Sequence, residues 1–310
     1  MLLALHLLAV VVTLAATVRA AGRARVLGPV AGVAALAAFT AGARLDAPSP
    51  LRGALWVYGV ACLGKTLALG RGPRGAPGPS IGIGRGLAYV FFWPGLEPAG
   101  AFTRDPAVDR RAGLVSAAVG ALEVLAAFAL SSLAASTGLL DAGPYPAAWV
   151  RLLAFGGLLD GGFRALEGLI AAFGARPERV FRRPWAANDL ADFWGRRWNR
   201  FVGRTLALEV FAPVKRRVGR PAGVFAAFLA SGLLHEALFR GSTPGPAGRY
   251  VAFFLLHGLG VVLTARVPAV TPRGRAARRV AAWAFLLATA PLFFGGCYPA
   301  VVPLEDVLPR

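Results

Sequence analysis

Cysteine, histidine and charge are all scarce in this sequence. Only two cysteines occur among 310 residues, Cys62 and Cys297, and they form no Cys-x-x-Cys pair. This pattern excludes a disulfide framework and speaks against a cysteine-based metal site or covalent thiol chemistry, so no metal is expected. Charged residues make up only 16% of the chain and hydrophobic residues 56%, which is too apolar for a soluble domain of this length.

Long apolar runs recur along the whole chain. A run of about 18 or more apolar residues is enough to cross the ~30 Å hydrocarbon core of a bilayer as a helix. The sequence therefore predicts an all-α polytopic membrane protein, a single embedded domain over residues 1–310 with about eight transmembrane helices. The predicted spans lie near residues 1–18, 26–43, 52–69, 112–136, 148–173, 222–239, 250–265 and 280–297.

The basic residues test this topology independently of the apolar runs. No basic residue precedes the first run, and Arg19, Arg23 and Arg25 follow it, which indicates a membrane helix with an external N-terminus rather than a signal peptide. The loops then predicted to be cytoplasmic carry 26 of the 34 Lys and Arg residues, with 3 in 19–25, 6 in 70–111, 12 in 174–221 and 5 in 266–279. Both termini are expected on the non-cytoplasmic side of the cytoplasmic membrane.

The excess of basic residues, a formal net charge of +19, does not indicate nucleic-acid binding. These residues lie at predicted helix ends, where lipid headgroups and the orientation rule account for them. In the first long cytoplasmic stretch, 70–111, Gly82, Gly84 and Gly86 have the wrong spacing for a dinucleotide-binding loop. That stretch is apolar and aromatic but broken by Gly and Pro, which favours a re-entrant or interfacial segment over a ninth span.

The second long cytoplasmic stretch, 174–221, contains a predicted amphipathic helix. Asn188 or Asp189 is a good N-cap, and Asp192 and Arg196 then form an i,i+4 ion pair with the acid in the favourable position. On a continuous helix Trp194 and Trp198 would share a face, as would Gly195 and Asn199. An interfacial helix, with Trp at the membrane surface and Arg on lipid phosphates, explains the same pattern without a catalytic function.

The stretch SGLLHEALF, residues 231–239, places two ionisable groups in a predicted span. Glu236 can pair with Arg240 at the outer boundary. His235 has no such partner four residues away, and an ionisable residue inside the membrane is by default a functional candidate. A neutral histidine hydrogen-bonded between helices is the alternative. A zinc metalloprotease is excluded because H-E-x-x-H requires a histidine where Phe239 stands.

Four segments together resemble the wax synthase-type branch of the membrane-bound O-acyltransferases. They are YVFFWPG (89–95), DFWGRRWN (192–199), ASGLLHE (230–236) and FFLLHG (253–258), which occur in the family's order and at fitting distances. The pairing of F-W-G-x-R-W-N with a later intramembrane S-G-x-x-H-E is specific. These two are the principal motifs, and DFWGRRWN is called the first motif and ASGLLHE the second. The first three predicted spans carry no matching motif.

The resemblance implies transfer of an acyl group from a coenzyme A thioester to a hydroxyl, inside a tunnel through the membrane domain. It places the general base at His235 and the supporting polar residue at Asn199. An imidazole in apolar surroundings stays neutral and can accept the alcohol's proton. The asparagine can donate a hydrogen bond to the developing oxyanion or hold the thioester in place. Direct transfer is favoured over an acyl-enzyme, with acyl-CoA as co-substrate and no further cofactor.

The resemblance also implies contacts with both substrates. The arginines Arg196, Arg197 and Arg200, with Arg182 and Arg183 nearby, suit the phosphates of coenzyme A by charge and fork geometry. Trp194 and Trp198 are expected to contact acyl-CoA as well. His257 either lines the acceptor side or only hydrogen-bonds between helices. A small lipophilic alcohol is the expected acceptor, with a sterol, diacylglycerol or a sugar as alternatives. A non-catalytic transporter or lipid-binding membrane protein also stays open, and no obligatory protein partner is expected.

The predicted topology contains one geometric difficulty. His235 lies past the middle of the membrane and Asn199 on the cytoplasmic side, which separates them by roughly 20 Å at 1.5 Å per residue. Either residues 189–214 enter the membrane, which their apolar sequence permits and which we favour, or the two residues act at different points along the tunnel.

Overall fold

Helix is the dominant structure of the described residues. The structure, a computed structural model, describes residues 83–96, 101–239, 246–265 and 271–301 together with Ala61, Gly64, Lys65 and Ala68. These residues contain no strand, only an isolated bridge between Arg104 and Ala175. The helices are α1 (Ile83–Phe92), α2 (Arg110–Ser136), α3 (Pro144–Ala172), α4 (Leu190–Asp192), α5 (Arg200–Leu206), α6 (Ala212–Val218), α7 (Arg220–Phe239), α8 (Arg249–Thr264) and α9 (Pro272–Val301).

Five of the predicted spans coincide with helices of matching position, namely α2, α3, α7, α8 and α9. Two helical segments, α2 and Pro272–Gly295 of α9, are long and apolar enough to cross a bilayer, and α8 is a shorter apolar helix. The predicted spans 1–18 and 26–43 lie outside the described residues. Of span 52–69 only the four residues named above are described, and they are helical. The segment predicted to be re-entrant forms α1, which ends just before Pro94.

The chain divides into two compact units, and the first comprises Met1–Gly120 and Phe163–Arg179. Within it the YVFFWPG segment supplies buried residues, since Tyr89 and Trp93 are almost fully inaccessible. The Tyr89 hydroxyl donates to the carbonyl of Leu96 at 2.8 Å, and the Lys65 ammonium donates to the carbonyl of Val90 at 2.9 Å. A buried lysine needs such an acceptor, because an unpaired buried charge costs several kcal/mol.

Helices α2 and α3 approach each other at backbone distance in this unit. A Cβ atom added to Gly168 would lie 2.7 Å from the Gly113 carbonyl oxygen, and one added to Gly113 would lie 2.7 Å from the backbone nitrogen of Ala172. Gly113 and Ala117 on one helix and Gly168 and Ala172 on the other repeat every four residues. Small residues at this spacing are typical of close helix contacts in membranes.

Replacing Gly168 with valine is expected to destabilise the protein by about 1–3 kcal/mol, because the new side chain overlaps backbone that cannot move aside. The matched control is Gly162→Val on the same helix, where nothing lies within 4 Å of the added Cβ. Thermal unfolding of the purified variants in detergent measures both effects. Equal losses at the two positions would contradict the close contact.

The second unit comprises Ala121–Gly162 and Val180–Arg310 and contains both principal motifs. Its core joins the segment around α4 to α7, α8 and α9 through buried apolar side chains: Ala187, Leu190, Phe193, Val224, Val261, Ala282 and Leu286. Gly260 lies against this core, since a Cβ there would lie 2.6 Å from the end of the Leu190 side chain. Gly219, at φ 101°, separates α6 from α7 in a conformation that favours glycine.

Glu236 is a structural residue of this unit. Its carboxylate accepts hydrogen bonds from the backbone nitrogens of Gly248, at 2.8 Å, and Tyr250, at 3.2 Å. These donors lie at the start of α8, where a carboxylate satisfies free N–H groups and complements the helix dipole. The predicted partner Arg240 lies outside the described residues. The neighbour of His235 therefore joins the end of α7 to the start of α8.

Candidate active site

The first motif begins at a capped helix terminus. The Asp189 side chain accepts a hydrogen bond from the backbone nitrogen of Asp192 at 2.7 Å, which confirms the predicted N-cap. Arg278 of α9 donates to the same Asp189 carboxylate at 2.7 Å. The cap therefore also fixes the motif segment to the start of α9, a contact between residues 89 positions apart that the sequence does not indicate.

Asp192 is the electrostatic centre of the motif. Its buried carboxylate accepts from Arg196 at 3.0 Å, as predicted, and from Arg197 at 2.7 Å. Burial raises its pKa, but the hydrogen bonds from Arg197 and from the Asn188 backbone and the two guanidinium charges outweigh it. The net result is a pKa below the ordinary value of 3.8. The carboxylate is therefore ionised at neutral pH and holds two arginines on one side of the motif.

The expectation of one continuous amphipathic helix through residue 199 is wrong. After the single turn of α4 the chain forms a π-helical turn, Phe193–Arg197, in which the Trp198 backbone nitrogen bonds to the Phe193 carbonyl at 2.8 Å. Trp198 is extended, and Asn199 starts α5. The predicted faces shared by Trp194 and Trp198, and by Gly195 and Asn199, therefore do not form. Packing of Phe193 into the core outweighs the local preference for an α-helix.

Asn199 occupies a left-handed backbone conformation, with φ 35° and ψ 61°, that asparagine tolerates better than most residues. Its side-chain oxygen Oδ1 accepts from the backbone nitrogen of Val202 at 3.3 Å and caps α5. Within the described residues its amide nitrogen Nδ2 has no hydrogen-bond partner. The cap uses the acceptor atom and leaves the two N–H donors of this half-buried side chain available.

Most of the other candidates in this motif have structural contacts. Trp198 stacks on Phe193 at 5.5 Å between ring centroids, and it meets Phe181 edge-on at 5.1 Å. Arg197 binds Asp192 and also donates to the carbonyls of Arg182 and Arg183 at 3.3 and 3.4 Å.

Two arginines of the candidate set are placed differently. Arg200 is half-buried at the start of α5, and its backbone nitrogen donates to the Val180 carbonyl. Arg196 is the most exposed, with 75% of its side chain accessible. Within the first motif, Arg196 is thus the arginine with the most accessible side chain.

His235 lies in α7 among aromatic rings. Its ring centroid is 4.6 Å from that of Phe254, 5.4 Å from Phe293 and 6.0 Å from Phe239. Its Nδ1 atom is 2.7 Å from the Ser231 carbonyl oxygen. Because a carbonyl can only accept, Nδ1 carries the proton of the neutral ring and Nε2 carries the lone pair. Nε2 has no hydrogen-bond partner among the residues that the structure describes.

His257 has the opposite arrangement. The Trp194 indole donates to Nδ1 at 3.0 Å, and Nε2 lies 2.9 Å from the Thr289 hydroxyl. The ring is fully buried and both nitrogens are occupied. Sequence reasoning missed Thr289, although a lone threonine in the apolar run of α9 is the signal that would have identified it.

The first motif and His235 are connected through rings. Trp194 contacts Phe254 at 5.5 Å between centroids, and Phe254 is the ring closest to His235. The motif segment also packs against α7, α8 and α9 in a common core. The first motif therefore packs against the helices that carry the two histidines.

Comparison with known proteins agrees with the motifs. Residues 177–256 match the model of the membrane bound O-acyl transferase family. This stretch contains Asp192, Asn199 and His235, together with both principal motifs. The resemblance drawn from DFWGRRWN and ASGLLHE is thereby confirmed over this part of the chain.

The curated relatives are named for one activity. The probable long-chain-alcohol O-fatty-acyltransferase 7 of Arabidopsis thaliana is 39% identical over 122 residues, which are 36% of this chain and 36% of that protein. The long-chain-alcohol O-fatty-acyltransferase of Simmondsia chinensis is 39% identical over 88 residues, 26% of this chain and 25% of that protein. The matched segments thus cover about a third of the first relative and a quarter of the second.

Replacing Asp192 with asparagine is expected to lower the free energy of unfolding by about 2–3 kcal/mol at neutral pH, because the partly buried Arg197 loses its charged partner. Since folding lowers the pKa of Asp192, its contribution is present above the ordinary value of 3.8 and is lost as the pH falls through the lower folded value. The difference between wild type and variant should therefore close at acid pH. Thermal unfolding across pH measures it, and the exposed Asp141→Asn is the control.

Proposed function

We propose that this chain transfers a fatty acyl group from acyl-CoA to the hydroxyl of a long-chain alcohol or similar lipophilic alcohol. The observation that carries the proposal is the hydrogen bonding of the two ring nitrogens of His235. Its Nδ1–H is directed to the Ser231 carbonyl at 2.7 Å, and its Nε2 lone pair has no hydrogen-bond partner among the described residues. That is the arrangement that a general base requires. The family match and the relatives' names supply the reaction class.

The proposed reaction is a direct transfer in a ternary complex. Nε2 of His235 takes the proton of the alcohol while the alcohol oxygen attacks the carbonyl carbon of the thioester. The resulting oxyanion accepts a hydrogen bond from Nδ2 of Asn199. Collapse re-forms the carbonyl and breaks the carbon–sulfur bond, and the leaving thiolate takes the proton from His235. The products are an ester and free coenzyme A, and His235 returns to its neutral form.

The surroundings of His235 support each proton transfer. When Nε2 is protonated the ring becomes cationic, and the hydrogen bond from Nδ1 to the Ser231 carbonyl becomes charge-assisted. This fixed acceptor holds the ring orientation through the cycle. The aromatic rings of Phe254 and Phe293 border the imidazole. Such an apolar border suits an aliphatic alcohol and leaves Nε2 as the polar atom that the hydroxyl can reach.

On the donor side we assign the phosphates of coenzyme A to the basic surface around the first motif. Arg196 carries most of this assignment because its side chain is exposed even though it binds Asp192, whereas the less exposed Arg197 is held by Asp192 and by two backbone carbonyls. Arg182 and Arg183 are exposed on the neighbouring loop. Several exposed arginines around the motif suit a polyphosphate ligand.

The proposed setting is a membrane. We propose eight spans with both termini on the non-cytoplasmic side of the cytoplasmic membrane. The helices α2 and α9, which are long and apolar enough to cross a bilayer, support a membrane location. In this arrangement the acyl donor arrives from the cytoplasm at the first motif, and the alcohol arrives from the bilayer.

Membranes that contain the full chain test the proposal. They are incubated with labelled acyl-CoA and, separately, a long-chain alcohol, a sterol and a diacylglycerol, beside membranes without the chain. We expect a labelled wax ester with the long-chain alcohol, identified by its mass. An ester formed mainly with a sterol or diacylglycerol would show an O-acyltransferase with a different acceptor from the one proposed. No ester above background with any acceptor would refute the proposal.

A further inference from the structure

Three residues that are distant in sequence form a directional hydrogen-bond chain in the second unit. Trp194 of the first motif donates from its indole nitrogen to Nδ1 of His257 in α8 at 3.0 Å. Nε2 of His257 lies 2.9 Å from the Thr289 hydroxyl oxygen in α9. That hydroxyl donates to the Phe285 carbonyl at 2.8 Å.

The direction of the chain follows from its two ends. An indole N–H can only donate, so Nδ1 of His257 is unprotonated and Nε2 carries the proton. The Phe285 carbonyl can only accept, so the Thr289 proton is directed to it and the Thr289 oxygen accepts from His257. Every polar atom is satisfied, and the chain is neutral. The single lone pair of the His257 ring is occupied by Trp194, and the ring is fully buried.

The chain holds Trp194 at the centre of the aromatic cluster. The Trp194 ring meets the rings of Phe228, Phe254 and His257 at centroid distances of 6.0, 5.5 and 5.4 Å. Phe254 in turn lies 4.6 Å from His235. Trp194 also belongs to the π-helical turn that leads to Asn199. A shift of its indole would therefore reach both proposed catalytic residues.

We infer that His257 and Thr289 are positioning residues for acyl transfer, which fix Trp194 between His235 and the Asn199 turn, and that His257 is not a second base. This inference rests on the proposed function and adds residues to it. The chemistry required at position 257 is one acceptor and one donor on a buried side chain, and basicity is not needed.

Substitutions that keep or remove this hydrogen-bonding pattern provide the test. His257→Gln keeps an acceptor and a donor without a titrating group, whereas His257→Leu removes both. Thr289→Ser keeps the hydroxyl, whereas Thr289→Val removes it at nearly constant shape. We expect His257→Leu and Thr289→Val to lower kcat by on the order of ten- to hundredfold with a nearly unchanged KM for acyl-CoA, because the reacting groups are misplaced.

The conservative variants decide between the two roles. His257→Gln and Thr289→Ser should recover most of the activity, to within about threefold of wild type, whereas His235→Gln should not. If His257→Gln loses as much activity as His235→Gln while it remains folded, His257 acts as a base and the inference is wrong. A raised KM for acyl-CoA with an unchanged kcat in Thr289→Val would also overturn it.

A second measurement does not depend on activity. In thermal unfolding of the full chain in detergent, Trp194→Phe and Thr289→Val should each lower Tm. The double variant should lose less than the two shifts combined, because both remove the same chain. Additive Tm shifts would refute the hydrogen-bond chain. If the Tm shifts are coupled but the protein has no transferase activity, the hydrogen-bond chain is supported and the proposed function is refuted.

Discussion

Replacing His235 with glutamine is expected to abolish ester formation, with a loss of on the order of 10²–10⁴-fold in kcat, the range for a general base. Glutamine can still donate to the Ser231 carbonyl, so the local helix contact survives. It offers no basic lone pair in the place of Nε2, so the alcohol keeps its proton. KM for acyl-CoA should change little, because the thioester donor is bound by other residues.

The measurement is the initial rate in membranes at matched protein level, with acyl-CoA and alcohol both saturating. His6→Gln removes a histidine outside the described residues and is the composition-matched control, expected to behave like wild type. Thermal unfolding of His235→Gln should stay within a few degrees of wild type, which separates lost chemistry from lost folding. Activity within tenfold of wild type would show that another group accepts the proton.

Asn199 has two separable roles, and three substitutions distinguish them. Asn199→Asp keeps the capping oxygen and tolerates the left-handed backbone, but it has no N–H donor. It should unfold near the wild-type temperature while losing on the order of 10²–10³-fold in kcat, the usual effect of removing an oxyanion donor. Asn199→Gly keeps the backbone conformation and loses both side-chain roles.

Asn199→Ala is expected to lose stability as well as activity. It removes the cap, which costs about 1 kcal/mol, and alanine tolerates the left-handed backbone at φ 35° less well than asparagine does. Thermal unfolding and initial rates of the three variants, measured in parallel, give the two roles separately. If Asn199→Asp retains wild-type kcat, the residue only caps α5 and takes no part in the reaction.

Local signals in the sequence predict much of this candidate site. The N-cap at Asp189 and the ion pair between Asp192 and Arg196 depend on neighbours three and four residues away, and the structure contains both. The positions of α2, α3, α7, α8 and α9 follow from apolar runs, which are likewise local. His235 could be singled out because one histidine in an apolar helix is costly unless it has a function or a partner.

Other features depend on contacts that no local pattern encodes. The bond from Trp194 to His257 joins residues 63 positions apart, and that from Arg278 to Asp189 joins residues 89 positions apart. The π-helical turn forms because Phe193 packs into a core built from three later helices. The sequence pattern predicts an α-helix from residue 189 to residue 199, whereas tertiary packing ends the α-helix at Asp192.

That π-helical turn also makes the length of the motif matter as much as its composition. A turn with i→i+5 bonds holds one residue more than an α-helical turn, so loss of one residue between Phe193 and Arg197 would allow a regular α-helix to close. Each residue of an α-helix advances the chain by about 100°, so such a deletion would rotate Trp194 and Asn199 relative to each other. Gly195 is exposed, and nothing lies within 4 Å of a Cβ added there, so a larger residue can replace it. Its deletion, by contrast, would shorten the π-helical turn by one residue. This stretch should therefore accept substitutions far more readily than deletions.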